Sequence, residues 1–241
     1  MPDRTEVESV GTRSADRTRA ARRLYAIAAV SIVLFFLTGF VGPQALLQAV
    51  DYDTELAGRE LIEFIGQHRV WWFALQNLTM GSMVFLIVPL IALWPALRHG
   101  DAAVAAVGIV LAVSCQVLFM AYFPVVNGLL WIADRYAEAT DPDLRVALIG
   151  GAEALVAMNN AYGTSDGIFA ASVGIIAHAM RRSVFSGWVI AVGYATGVVG
   201  VLAAFLKPAL GIHYLWWWVL LIVWLVGVGL AFWRMAKPEK A

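Results

Sequence analysis

Six long apolar blocks leave this chain one kind of fold. They run over about residues 24–50, 70–97, 102–131, 143–180, 184–206 and 213–234, and each reaches the roughly 20 residues that a helix needs to cross a bilayer core. Hydrocarbon offers no water to a backbone, so a spanning segment must close its own hydrogen bonds. None of the blocks has the roughly ten-residue apolar and polar alternation of a membrane strand. The expected fold is all-α, a polytopic membrane protein with a bundle of six transmembrane helices.

Composition agrees. The 241 residues are 61% hydrophobic and 14% charged, against about 25% charged in soluble domains. Basic and acidic residues balance at 17 each, which removes the basic field that nucleic-acid binding needs. Cys115 is the single cysteine and falls inside an apolar block, so there is no disulfide framework, no paired-thiol motif and no cysteine-based zinc site. No other metal site is read.

Orientation follows from the basic residues near span ends. Arg4, Arg13, Arg17, Arg19, Arg22 and Arg23 precede the first span, and Arg98, Arg181, Arg182, Arg234, Lys237 and Lys240 follow the second, fourth and sixth. The opposite loops hold fewer, Arg59, Arg69, Arg135, Arg145 and Lys207, together with most of the acids. Both termini are therefore expected in the cytoplasm, with the chain in the cytoplasmic (inner) membrane. Trp71, Trp72, Trp131, Tyr214, Trp216, Trp217 and Trp218 read as an aromatic belt at the outer face.

The parts are a disordered basic arm over 1–22, a six-helix domain over 23–235 and a short tail over 236–241. The first span is too long for a cleaved signal and reads as an uncleaved anchor. Gly39, Gly42 and Pro43 are expected to kink it. Asp53 or Thr54 can cap a short helix from Glu55 to Gln67, with Leu61, Ile62 and Ile65 on the membrane surface. Asp141-Pro142 gives a cap with proline at the first helical position. No convincing internal repeat is present.

Polar residues concentrate in the fourth span. With Arg181 at the cytoplasmic boundary, a rise of about 1.5 Å per residue puts Asp166 roughly 22 Å up, Asn160 roughly 31 Å and Glu153 roughly 42 Å. A core about 30 Å thick then contains Asp166, has Asn160 at its edge and leaves Glu153 outside. At about 100° per residue Glu153, Asn160, Thr164 and His178 share one line, while Asn159 and Asp166 form a second about 120° away. Both lines are expected to face the bundle interior. One reading makes this a ligand-binding cavity, with Asp166 as charge or proton acceptor and Asn159, Asn160, Glu153 and Thr164 around it, because an ionisable group within a span is a functional candidate. The other makes the same residues helix-to-helix bonds, with Gly163 and Gly167 admitting a neighbouring span. Gln76, Asn77 and Thr79, and Ser114 and Gln116, are candidates to bond the fourth span. Gly193 and Gly197 are expected to pack helices within the chain.

The histidines offer a redox alternative. His99 and His178 lie toward the cytoplasm, His68 and His213 toward the outside, and two facing pairs could ligate b-type haem. His68 and His99 are about 46 Å apart along a straight helix, and both adjoin charged loops, which weighs for no cofactor. There is no glycine-rich phosphate loop, no H-E-x-x-H and no serine nucleophile elbow, so no catalytic residue is assigned and an enzyme is unsupported.

One stretch carries a resemblance. Ala133, Tyr136 and Ala139, then Asp143-Leu144-Arg145, Ala152-Glu153-Ala154, and Arg182-Ser183-Val184-Phe185-Ser186-Gly187-Trp188 before a glycine-rich fifth span, resemble a bacterial family of multi-span integral membrane proteins catalogued only as a domain of unknown function. The resemblance implies a helical membrane bundle and brings no functional residues. The expected partners are the lipid bilayer, a small-molecule or lipid ligand that is bound or moved at the polar fourth span, or another membrane protein in a larger complex.

Overall fold

The computed structural model describes the backbone of residues 4–50, 56–161 and 163–238, with side chains except those of 4–17, 122–126, 159–164, 208 and 212. Every regular element among them is helical: α1 (Arg4–Phe36), a π-helical turn (Leu37–Val41), α2 (Gly42–Ala49), α3 (Gly58–Gln67), α4 (Arg69–Leu97), α5 (Ala102–Glu138), α6 (Pro142–Ala161), α7 (Gly163–Met180), α8 (Gly187–Leu210), a 3₁₀ turn (Gly211–Trp216) and α9 (Trp217–Ala236). Five helices are long and apolar enough to cross a membrane, over Thr18–Ala49, Arg69–Leu97, Ala102–Ala121, Gly187–Lys207 and His213–Ala236, and the described apolar stretch Ser165–Met180 of α7 is shorter.

Six helices close into a ring. α1 packs on α4, α4 on α5, α5 on α7, α7 on α8, α8 on α9, and α9 returns to α1. α1 at Tyr25 and the last turns of α9 meet at one end of the ring, where Tyr25 stacks on Phe232 with ring centroids 5.5 Å apart. The turn at Gly100 lies there too, against Arg182. The interior is filled by Phe35, Leu86, Leu90, Leu93, Phe169, Ile176, Trp217, Leu221, Trp224 and Phe232. Outward faces carry Val30, Val33, Val110, Val198, Leu202 and Phe205, all exposed. Apolar exposure on that scale fits a lipid-facing wall.

The seam between α7 and α8 is the closest. A Cβ added to Gly197 would lie 2.8 Å from the Gly174 Cα, one on Gly193 2.6 Å from the Ala177 Cβ, and one on Gly200 2.5 Å from the Ala170 Cβ. Small side chains here let two backbones touch, the usual basis of helix association in lipid. Gly193 and Gly197 thus pack within the chain, as expected.

A second core lies beyond the ring, at the end away from the termini. α5 has 37 residues, about 55 Å of helix, far more than a bilayer core of about 30 Å. Its far end packs with α3 and α6, burying Leu61, Ile62, Ile65, Trp71, Trp72, Ile132, Tyr136 and Leu148 together. Arg69 of α4 and Asp134 of α5 close an ion pair of 2.9 Å beside it. Leu61, Ile62 and Ile65 are therefore core residues, not membrane-surface ones. Their 3.6-residue stripe looks the same whether lipid or protein covers it. The short helix starts at Gly58, with φ +55°, rather than Glu55; Asp53 and Thr54 lie outside the described residues. Along α3 the Arg59 guanidinium donates to Glu63 at 2.7 Å, and that hydrogen bond, with the carboxylate's charge, raises the Arg59 pKa.

Several local expectations meet the structure directly. The Asp141 carboxylate accepts from the Asp143 N–H at 3.0 Å, capping α6 just ahead of Pro142. The irregularity expected at Gly39 and Gly42 takes the form of the π-helical turn, in which the Gly42 N–H donates to the Leu37 carbonyl, and Pro43 sits in the first turn of α2, where no N–H is needed. α1 runs through the boundary expected at residue 22 without a break, since Arg and Ala are strong helix formers. Of the expected belt, Trp71, Trp72 and Trp217 are buried while Trp131 and Trp216 are exposed. Trp94, Trp188 and Trp233 are exposed toward the terminal end, so exposed tryptophans flank the ring at both ends.

Two substitutions test this architecture through thermal unfolding in mild detergent. Gly197→Leu is expected to cost more than about 2 kcal/mol or abolish folding, since overpacking meets backbone that cannot yield, while Gly81→Ala, with nothing within 4 Å of an added Cβ, should be neutral or better. Ile65→Ala should cost about 2–5 kcal/mol; a loss below about 0.5 kcal/mol would return Ile65 to the surface.

Candidate binding cavity inside the helix ring

Asp166 lies in the first turn of α7 and is 6% exposed. It heads a line of side chains three and four residues apart, Phe169, Val173, Ile176 and Met180, each at most 1% exposed. That line is the face α7 turns inward. Gly167 and Gly174 face α8 instead, where an added Cβ would meet Ala204 and Gly197.

Asp166 lines a cavity of about 330 Å³, open to the surroundings on one side, on which α1, the π-helical turn, α4, α5, α7, the 3₁₀ turn and the start of α9 all converge. Aromatic rings make much of its wall: Phe35, Phe40, Phe119, Tyr214 and Trp218, with Met80, Met83 and Leu215 between them. Phe40 stands edge-on to Phe35, centroids 5.5 Å apart, and edge-on to Trp218 at 5.9 Å. Beside the Tyr214 hydroxyl and the Trp218 indole N–H, the wall has the hydroxyls of Thr79 and Ser82. Both donate within α4, Thr79 to the Leu75 carbonyl at 2.8 Å and Ser82 to the Thr79 carbonyl at 2.6 Å. Lys207, at the end of α8, holds its ammonium 4.6 Å from the Tyr214 ring centroid and within electrostatic reach of Asp166.

The π-helical turn shapes the opposite wall. It contributes Gly39 and Phe40 to the lining, and a Cβ on Gly39 would stand 2.7 Å from the Ser82 Oγ. Only glycine lets α1 approach α4 this closely without moving Ser82. Wide turns of this kind recur at functional sites.

Other expected site residues are placed differently. The side chains of Asn159, Asn160 and Thr164, and Tyr162 entirely, lie outside the described residues. Glu153 is exposed and not part of the cavity wall. Its Oε1 would be 3.2 Å from a Cβ on Gly58, which sets the carboxylate at the start of α3, where negative charge is favoured. His178 is exposed and shares a 2.8 Å hydrogen bond with the Tyr194 hydroxyl. The described members of the Glu153 and His178 line therefore face away from the interior, and only the Asp166 line is buried. Among the described residues neither Asn77 nor Thr79 bonds α7; Asn77 donates to the Phe73 carbonyl of its own helix at 2.7 Å. Ser114 is exposed, while Gln116 is buried and its Oε1 has no hydrogen-bond partner among the described residues.

Each of the other histidines also has a local partner. His68 Nδ1 meets the Phe64 carbonyl at 3.0 Å, Arg98 donates to His99 Nε2 at 3.3 Å, and Trp216 donates to His213 Nδ1 at 3.4 Å. None of these contacts pairs one histidine with another. Among the described residues no three His, Cys, Asp or Glu side chains group as a metal site.

Sequence reasoning missed Phe35, Phe40, Phe119 and Lys207. Aromatics inside an apolar block look alike whether they meet lipid, core or cavity, and Lys207 stands as one more loop charge. No family model matches the chain, and neither a curated protein nor a solved structure shows significant similarity to it.

A double-mutant cycle tests the cavity wall. Gly39→Ala is expected to lower stability by about 1–3 kcal/mol through overpacking, and Ser82→Gly in the same chain to recover most of that loss. Additive effects in detergent unfolding would mean that Gly39 and Ser82 do not touch.

Proposed function

We propose that this chain binds or moves a small molecule or lipid in the cavity inside the helix ring, with Asp166 as its polar anchor. α7 serves as the sixth span, both termini face the cytoplasm, and the bundle sits in the inner membrane of a bacterium, as a member of the multi-span family of unknown function that the sequence resembles. The observation that carries this reading is the burial of an ionisable side chain in the wall of a cavity shared by most of the ring. Ionisable groups within spans are costly and mark sites of function, and a largely apolar cavity with one or two convergent polar groups is the usual form of a small-molecule site.

A carboxylate used only to tie helices together would sit against donors from a neighbouring helix. Here two of the three hydroxyls that share the cavity, those of Thr79 and Ser82, give their protons to their own helix. Rings and methionines provide the rest of the wall. Support for binding over packing comes from that combination of cavity volume and polar economy.

Native mass spectrometry of the protein released from mild detergent tests the proposal. Wild type should retain a small-molecule or lipid adduct that Asp166→Asn loses, with the melting temperature of the variant within a few degrees of wild type. The same adducts in both proteins, or a variant that does not fold, would give Asp166 to helix packing.

A further inference from the structure

We propose that the ligand of this cavity is an organic cation: an ammonium, or another delocalised positive group with apolar substituents, held between the Asp166 carboxylate and the aromatic wall. The inference rests on the binding role proposed above and names its chemistry.

Charge and shape both point there. A carboxylate 6% exposed in an apolar ring has lost most of its hydration, and only an opposing charge or a full set of donors offsets that loss. The cavity wall adds no free donor from Thr79 or Ser82, whose hydroxyl protons are committed to α4 carbonyls. It does add five aromatic rings, those of Phe35, Phe40, Phe119, Tyr214 and Trp218. The face of each such ring is negative and favours a cation. Aromatic cages of this kind are the common way to hold an ammonium whose substituents prevent strong hydrogen bonding. A cavity of about 330 Å³ has room for a substituted ammonium.

Lys207 fits the same assignment. Its ammonium lies over Tyr214, a ring of the cavity wall, and acts electrostatically on Asp166. The chain thus supplies a tethered cation at the edge of the site, on one of the rings that a ligand cation would use. A ligand cation competes with that charge for Asp166 and Tyr214. Removing the lysine charge should therefore strengthen binding.

Paired isosteres decide the matter. Benzyltrimethylammonium and neopentylbenzene share one shape and differ by a single charge; each is titrated against the intact protein in dodecyl maltoside, and thermal stabilisation is followed. The expected result is stabilisation by the ammonium alone, an affinity loss of about thirtyfold or more in Asp166→Asn, a loss of about tenfold in Trp218→Leu, and tighter binding in Lys207→Met. If Asp166→Asn does not fold, Trp218→Leu and Lys207→Met still test the assignment. Equal stabilisation by both probes, or weaker binding in Lys207→Met, overturns the cation assignment and leaves the cavity as a binding site. If neither probe binds while an Asp166-dependent adduct persists in native mass spectra, the cation assignment alone fails. If neither probe binds and no such adduct exists, both readings fail.

Discussion

Backbone contact between α7 and α8 is the interaction on which the remaining structure depends. In lipid there is no hydrophobic drive to press two helices together, so association falls to close van der Waals contact. Gly174, Ala170 and Ala177 on one helix and Gly193, Gly197 and Gly200 on the other remove the side chains that would hold the backbones apart. Once that face of α7 is committed to α8, the helical period turns Phe169, Val173, Ile176 and Met180 to the ring interior, and Asp166 with them. The same contact brings the end of α8, and so Lys207, to the level of Asp166. A carboxylate inside the ring is thus a consequence of where glycine and alanine lie on α7.

The second core packs against the ring at the far end of α5. α5 is long enough to leave the bilayer and continue, and its far end is gripped by α3 and α6 through Ile62, Ile65, Ile132 and Tyr136. Trp71 bridges this layer to α2 by donating its indole N–H to the Leu46 carbonyl at 2.6 Å. The π-helical turn lies between α1 and α2, where the ring meets this layer. It widens the backbone at the place where Gly39 and Phe40 reach the cavity.

How far the cavity was legible follows from the kind of signal each residue carries. Asp166 stands out because a charge within an apolar block is rare, and its height above Arg181 needs only the rise of a helix. The direction of its side chain was half legible. Periodicity separates Asp166 from Glu153 and His178 by angle, but it does not say which line meets protein and which meets solvent, and the structure buries only the first. Phe40 and Phe119 carried no signal, since an aromatic residue among aliphatic ones satisfies lipid, core and cavity equally. Likewise Leu61, Ile62 and Ile65 made a correct amphipathic stripe with the wrong cover.

By itself the sequence determined the helical class, because hydrocarbon permits no other backbone for segments of that length. It also marked the helix cap at Asp141, set by a local side-chain bond, and the small-residue faces of the fifth apolar block. Tertiary structure alone decided the closed ring, the second core around the end of α5, and the meeting of Asp166 with five aromatic rings from separate elements. Local periodicity fixes which residues share a face. The partner of that face is chosen by contacts between segments distant in sequence, here glycine against glycine across the α7–α8 seam and Gly39 of the π-helical turn against Ser82 of α4.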